Sequence, residues 1–471
     1  MSLIRFQISH CLKLRRHSLV PGVLSLKMSF SSWVTKAKDG MEEVVEKATK
    51  QANEVDLLGA IPESIMDAKM KSALRDISKI GAEMDRKLSA TGKLSHNFLL
   101  NIAILRLYTK TKSMTETKDD CYEDCSLDDE LFAQSMHYLR YSDLSYSQLP
   151  RIAERDVIIH ELNDKGKASN IHMPRYIVFF DHLTRSIVVA IRGTASMSDI
   201  ITDMAIQSEP FVHNGVSMVA HSGIAQAAQT LLGSVQTAII DARRRKGGKY
   251  SQYGVVVTGH SLGAGTACLL GLRLSEQTGI GTDPMDVTVF AFAPPPVLSE
   301  PSYRSANCTI HAFVNNADLV PRCCKREIMK MLLTVGLIDK MVWSSGKRTH
   351  LVATTTLLSD EDMKLMDGVC SETNYNDVER AVVENEVQLY IPGTSYVITP
   401  TTYTPSPLNP DPESTPSTLT SGNAAKVNVV SKFRRVVKPT GLYSGFLFTG
   451  DTMLSDHKAD NYITAFVATA K

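Results

Sequence analysis

The chain has no apolar run of the roughly 18 residues that a membrane-spanning helix needs. The nearest stretch, Phe98 to Leu107, is too short and is broken by Asn101 and Arg106. A soluble or membrane-peripheral protein with no transmembrane segment is therefore expected. Charge of one sign is scarce too, with 51 Lys+Arg against 50 Asp+Glu. No broad basic face follows, which argues against nucleic acid as a partner. Cysteine patterning is also missing. The eight cysteines, at 11, 121, 125, 268, 308, 323, 324 and 370, follow no disulfide framework for a chain of this length. Cys121 and Cys125 have no second Cys/His pair at metal-binding spacing, so free thiols in a reducing compartment are expected and no metal. One absence is local: residues 1–38 contain no Asp or Glu but carry seven basic residues and seven serines. That is the composition of an organellar transit peptide, with a basic tail meeting anionic lipid as the alternative. The expected setting is intracellular, in the cytoplasm or on a membrane surface, with import into a mitochondrion or plastid raised by the leader.

After this basic leader, residues 39–150 are read as a helical N-terminal extension, in which apolar positions recur at helical spacing from about Asp39 to Met114, a stretch with no chemistry assigned to it. From 151 to 471 strand-like and helix-like segments alternate. Tyr176–Phe180, Ile187–Ile191, Tyr253–Val257, Val287–Ala293 and Thr309–Val314 read as strands. Leu127–Leu139, Val219–Arg245 and Lys325–Leu337 read as helices. The fold class is α/β with a mainly parallel central sheet. Two surface insertions are expected: an irregular, acid-rich segment at about 340–385, and a Thr/Pro/Ser tract at 399–422 that cannot pack a core.

The stretch that carries chemistry is "YGVVVTGHSLGAGTACLLGLRL", residues 253–274. A β-branched run leads into Gly259-His260-Ser261-Leu262-Gly263, and a small-residue helical face follows. This fits G-x-S-x-G, in which the serine occupies a sharp strand-to-helix turn and the glycines let neighbouring backbone pass close. A serine hydroxyl is a weak nucleophile near neutral pH and needs a base, held by a carboxylate. In an α/β-hydrolase fold the chain order is serine, acid, histidine. Of thirteen histidines, only His350 and His457 lie far enough along the chain, which puts the acid between Ser261 and one of them. Asp318, in "HAFVNNADLVPR", sits where a loop should leave the carboxyl end of a strand. Asp283 and Asp286 precede a strand and fall at the wrong edge. His457, in the polar loop "MLSDHKADNYITAF", is preferred over His350, which lies in the first insertion. The side chain of His260 should point away from Ser261 and serve as a packed or hydrogen-bonding neighbour. An oxyanion hole needs two donors. Leu262 N–H comes with the elbow, and Thr194 in "IVVAIRGTAS" follows a strand directly.

From about Tyr176 to His457 the chain resembles the class 3 lipases, and is most similar to the sn-1-specific diacylglycerol lipases. The likeness is carried, in order, by "FFDHLTRSIVVAIRGTASMSDIITD", "AHSGI", "VVVTGHSLGAGTA", "FAFAPPPVLS", "DLVPR", "LYIPG" and "MLSDHKAD". It implies an α/β-hydrolase fold, Ser261 as nucleophile, Asp318 as acid, His457 as base, and Thr194 with Leu262 as oxyanion hole. It also implies a canopy over the pocket, for which Ser196–Phe211 is the candidate. The implied reaction takes diacylglycerol to monoacylglycerol and fatty acid through an acyl-serine, with no cofactor, on a glycerolipid at a membrane or droplet surface. A phospholipase or galactolipase A1 would use the same residues, and a catalytically silent lipid-binding scaffold is the reading from another class. The animal diacylglycerol lipases carry a transmembrane bundle before the catalytic domain, where this chain has its leader and helices. Oligomeric state has no signature in the sequence.

Overall fold

The computed structural model describes residues 98–113, 120–146, 152–161, 173–194, 200, 204, 207–277, 284–355, 357–370, 384, 386–402, 429–443 and 452–469. All of them fall in the compact unit Leu58–Lys471. The basic leader, residues 39–97 of the expected extension, and 403–422 of the Thr/Pro/Ser tract lie outside the described residues.

In chain order the elements are α1 (Phe98–Ser113), β1 (Tyr122–Cys125), α2 (Asp129–Leu144), β2 (Val157–Glu161), β3 (Tyr176–Asp181) and β4 (Ser186–Ile191). There follow β5 (Ser208–His213), β6 (Val216–His221), α3 (Ser222–Gly248), β7 (Gly254–His260), α4 (Leu262–Ser275), β8 (Val287–Phe292) and β9 (Cys308–Asn315). The chain ends with α5 (Lys325–Asp339), α6 (Ser345–Thr354), α7 (Asp360–Cys370), β10 (Thr394–Thr402), β11 (Val429–Val436) and α8 (Ala459–Thr469).

Nine strands form one sheet in the order β1-β11-β10-β9-β8-β7-β4-β3-β2. The run β4-β7-β8-β9-β10 is parallel throughout, and the strands outside it pair antiparallel. Parallel strands with helices over both faces are buried on both sides. Accordingly β4 is buried at every position and β7 at all but its first, β3 beside β4 is buried throughout as well, and alternate residues feed opposite cores. Val255 and Val257 of β7, Val289 of β8 and Ala312 of β9 join one core with residues of α1, α3, α4 and α5. Val256, Phe290, Phe292 and Phe313 join the other, against Tyr138 of α2 and Phe466 of α8. Tyr138 stacks on Phe290 with ring centroids 4.7 Å apart, and Phe313 meets Phe466 at 5.1 Å. This is the α/β-hydrolase architecture expected from the sequence.

Three local outcomes differ from expectation. First, the helical extension expected to end at residue 150 is, over its described part, built into the sheet domain. Tyr122–Cys125 pairs with β11 at the sheet edge, and α2 packs on β7. Helical periodicity announces an apolar face but not the surface that covers it. Second, the described residues of the segment 340–385 include the helices α6 and α7. Its acidic run Ser359-Asp-Glu-Asp362 is a helix start: Ser359 Oγ caps the Asp362 N–H at 3.2 Å, and three carboxylates occupy the first turn of α7. Third, Ser208–His213, whose first four residues are the last of the expected canopy, is half of a β5–β6 hairpin closed by Asn214-Gly215, both at positive φ. Thr399–Thr402 of the second expected insertion complete β10. Among the described residues no helix is long and apolar enough to cross a membrane.

Arg348 of α6 fastens these helices together. Its side chain is 2% exposed. It donates to Asn101 Oδ1 of α1 (2.6 Å) and to the carbonyls of Trp343 (3.1 Å), Ile338 (2.9 Å), Asp339 (3.1 Å) and Met341 (3.1 Å). The guanidinium thus caps the C-terminus of α5 while reaching α1. Removing it strands several acceptors in a dry site. Arg348→Met is therefore expected to lower the unfolding free energy by about 3 kcal/mol, read from the urea midpoint.

Candidate active site

β7 ends at His260, and the chain turns at Ser261 with φ 61° and ψ −132°, a conformation that L-residues rarely adopt. Only glycines fit beside it. A Cβ on Gly259 would overlap the backbone of Gly263, and one on Gly263 would overlap the Ile191 carbonyl at the end of β4. The strand before the turn and the helix after it therefore cross in near backbone contact. Three hydrogen bonds hold the turn: Ser261 N–H donates to Phe292 O at 2.9 Å, and the N–H groups of Ala264 and Gly265 donate to Ser261 O at 2.9 and 3.2 Å.

Two loops deliver partners to that serine. The first leaves β9, where Asp318 follows Asn315; the second precedes α8 and carries His457. His457 Nε2 lies 2.9 Å from Ser261 Oγ, and His457 Nδ1 lies 3.0 and 3.2 Å from the two oxygens of Asp318. With Nδ1–H donated to the carboxylate, Nε2 is left to accept the serine proton. Ser261 and Asp318 are fully buried and His457 is 7% exposed, so these interactions act with little solvent screening.

The carboxylate is well supplied with donors. Tyr462 Oη donates to Asp318 Oδ2 at 2.7 Å while accepting the Asn315 N–H at 2.9 Å, and Val320 N–H donates to Asp318 Oδ1 at 3.0 Å. Burial alone would raise the pKa of Asp318. The charge and hydrogen bond of His457, with those from Tyr462 and Val320, outweigh it and hold the carboxyl below its ordinary value. Asp456 ties the two loops together, accepting from Thr452 Oγ1 (2.6 Å), Asn316 Nδ2 (2.9 Å) and the Ala317 N–H (3.1 Å).

The structure thus brings Ser261, His457 and Asp318 together, with Leu262 opening α4 beside them. Thr194 follows Gly193, where a Cβ would stand 3.1 Å from that of Ser261, so it is the residue before the oxyanion candidate that borders the nucleophile. His350 is exposed on α6, and Asp286 precedes β8 at the amino end of the sheet. His260 donates from Nε2 to the His457 carbonyl at 2.8 Å, as a neighbour and not a base. The expected canopy lies largely outside the described residues, of which Ile200 and Met204 are buried. Sequence reasoning missed Tyr462, whose only signal is its place one helical turn and a residue after His457. It also missed Tyr146, which carries no motif. Among the described residues no group of three or more His, Cys, Asp or Glu is arranged to hold a metal ion.

Residues 188–327 match the model of the family Lipase (class 3), a span that includes Thr194, Ser261, Leu262 and Asp318 and stops short of His457. The chain is 34% identical to mouse diacylglycerol lipase-beta over 196 residues, covering 38% of this chain and 26% of that protein. It is 32% identical to human diacylglycerol lipase-alpha over 154 residues, covering 31% of this chain and 14% of that one. The chain therefore aligns with about a quarter or less of the length of these relatives. Among solved structures, the Rhizomucor miehei lipase propeptide complex aligns over 46% of this chain and 75% of its own, at 19% identity and a TM-score of 0.33.

Two outcomes are expected of this geometry. Gly263→Ala should force α4 away from the end of β4, cost about 2 kcal/mol of stability and abolish labelling of Ser261 by an active-serine probe. Because Asp318 titrates below its unfolded value of about 3.9, its contribution to stability is complete above that pH and is lost as pH falls through the folded-state pKa. The unfolding free energy should accordingly fall less steeply below about pH 4 in Asp318→Asn than in wild type, as followed by denaturant titration.

Proposed function

We propose that the chain is a serine lipase that hydrolyses an acyl ester of a glycerolipid, with diacylglycerol as the substrate and monoacylglycerol and fatty acid as products. The observation that carries this reading is the buried hydrogen-bonded series from Ser261 Oγ through both nitrogens of His457 to Asp318. The lipase match of residues 188–327 and the diacylglycerol lipases among the relatives support the substrate class.

In this mechanism Ser261 Oγ attacks the ester carbonyl carbon as His457 Nε2 takes its proton. Asp318 holds the imidazole in the needed tautomer and stabilises the imidazolium that forms. Charge collects on the carbonyl oxygen, which the N–H groups of Thr194 and Leu262 meet at the positive end of α4. One such donor typically supplies about 3 kcal/mol. The C–O bond to the glycerol breaks, and His457 returns its proton to the departing alcohol. Water then adds to the acyl-serine by the same route, releasing the fatty acid and restoring the serine. Every group in these steps belongs to the chain, the substrate or water.

The test compares wild type with Ser261→Ala on diacylglycerol, monoacylglycerol, triacylglycerol, phospholipid and galactolipid presented in mixed micelles. Release of monoacylglycerol and fatty acid from diacylglycerol is expected for wild type, with a fall of about 10⁴-fold or more in the variant. Preference for a phospholipid or galactolipid would reassign the enzyme as an A1 hydrolase. Wild type that leaves every ester intact would make the chain a lipid-binding scaffold.

A further inference from the structure

His260 stands beside the nucleophile and takes no part in the proton transfer described above, yet both of its ring nitrogens are engaged. Nε2 lies 2.8 Å from the His457 carbonyl, which can only accept, so the proton of a neutral ring must sit on Nε2. Nδ1 is then an acceptor, and the Tyr146 hydroxyl lies 3.1 Å from it. That hydroxyl also packs against Gly193, where an added Cβ would overlap its oxygen, and it lies 3.4 Å from the His260 carbonyl, so Nδ1 is the nearer acceptor for its proton. The Arg192 guanidinium lies over the Tyr146 ring, 5.8 Å from its centroid. The tyrosine itself follows α2, near the end of the expected N-terminal extension.

Burial, and then the adjacent His457, push the His260 pKa down to about 3, so the ring stays neutral near pH 7. Neutrality matters because the two imidazoles are 4.8 Å apart. A cationic His260 would oppose the imidazolium that His457 becomes during turnover, and would leave Tyr146 facing a donor.

We propose that Tyr146 and His260 are positioning residues that join the two halves of the catalytic apparatus. Tyr146 packs against the loop that presents Thr194 and fixes the tautomer of His260, and His260 fixes the backbone of the base His457. The proposal rests on the lipase reading above. It differs from plain packing because it links oxyanion donor and base through one hydroxyl.

The experiment measures kcat, KM, melting temperature and the rate of fluorophosphonate labelling for Tyr146→Phe, His260→Leu and His260→Gln in the full chain. A sub-ångström misplacement of reacting groups is costly in rate, so Tyr146→Phe should lower kcat and labelling about tenfold and His260→Leu up to about a hundredfold. KM and melting temperature should change little in Tyr146→Phe. His260→Gln, whose amide N–H can reach the His457 carbonyl, should recover most of the activity lost in His260→Leu. Wild-type kcat in Tyr146→Phe, or equal activity of the Gln and Leu variants, would overturn the proposal. A readout independent of activity is the ¹⁵N spectrum of histidine-labelled protein at pH 7. His260 should be protonated on Nε2 alone in wild type and populate both tautomers in Tyr146→Phe. A cationic or Nδ1-protonated ring would overturn the relay even in an active enzyme. The expected tautomer in a protein that hydrolyses no ester and takes no label would instead contradict the lipase reading, and with it the catalytic purpose of the relay.

Discussion

The conformation of one residue constrains most of what surrounds it. Ser261 is held at φ 61°, ψ −132°, and a non-glycine residue in such a region costs on the order of 1–3 kcal/mol. The strain persists because the surroundings over-determine it. The Phe292 carbonyl of the neighbouring strand takes the serine N–H, and the first turn of α4 takes its carbonyl. In return the turn lifts the hydroxyl off the end of β7 and aims the helix start at the same point. No side chain is tolerated at Gly259 or Gly263, since each would enter the backbone of the facing segment. The elbow is thus a packing requirement as much as a chemical one. β7 must be central, α4 must be small-faced, and β4 must end where it does.

The rest of the site follows from sheet topology. In a parallel sheet the loops at the carboxyl ends gather along one edge. β4 ends beside Gly193 and Thr194, β7 at Ser261 and β9 at Asn315, three loop starts that converge from strands distant in sequence. The histidine arrives from the far end of the chain and is secured by polar contacts to the acid loop. Asp456 binds Asn316 and Ala317, Asn315 Nδ2 donates to Asp456 O at 3.0 Å, and Tyr462 bridges Asn315 to Asp318. A base delivered by a loop needs such fastening, because a hydrogen bond to the serine weakens steeply with misalignment. The aromatic stacking of Phe292, Phe313 and Phe466 under this loop supplies the rigid floor.

Much of this was legible in the residues. The β-branched runs marked the central strands to within a few positions, and the glycines of Gly259-His260-Ser261-Leu262-Gly263 announced the turn. The order serine, acid, histidine led to Asp318 and His457, which the fold brings within hydrogen-bond reach of each other, with His457 also reaching Ser261. What escaped has physical causes. β1 is four residues, YEDC, with two adjacent exposed acids and no alternation, and only its pairing with β11 makes it a strand. The acidic start of α7 resembles a solvated loop in composition, because the Ser359 cap and the favourable placement of carboxylates at a helix start are seen only once the helix is in place. The Asn214-Gly215 turn was itself a hairpin signal, masked by the helical pattern into which Val216–His221 runs. Tyr146, Tyr462 and the role of His260 depend on distances between elements far apart in sequence. No local pattern encodes them.

The most direct measurement of the central claim is the mapping of a covalent adduct. The protein would be treated with a long-chain alkyl fluorophosphonate in the presence of lipid micelles, digested, and read by tandem mass spectrometry. A single adduct on Ser261, absent when Asp318 or His457 is replaced by alanine in a folded variant, is the expected result. An unmodified Ser261 in active protein, or a stoichiometric adduct on another residue, would contradict the assignment of the elbow serine as the nucleophile.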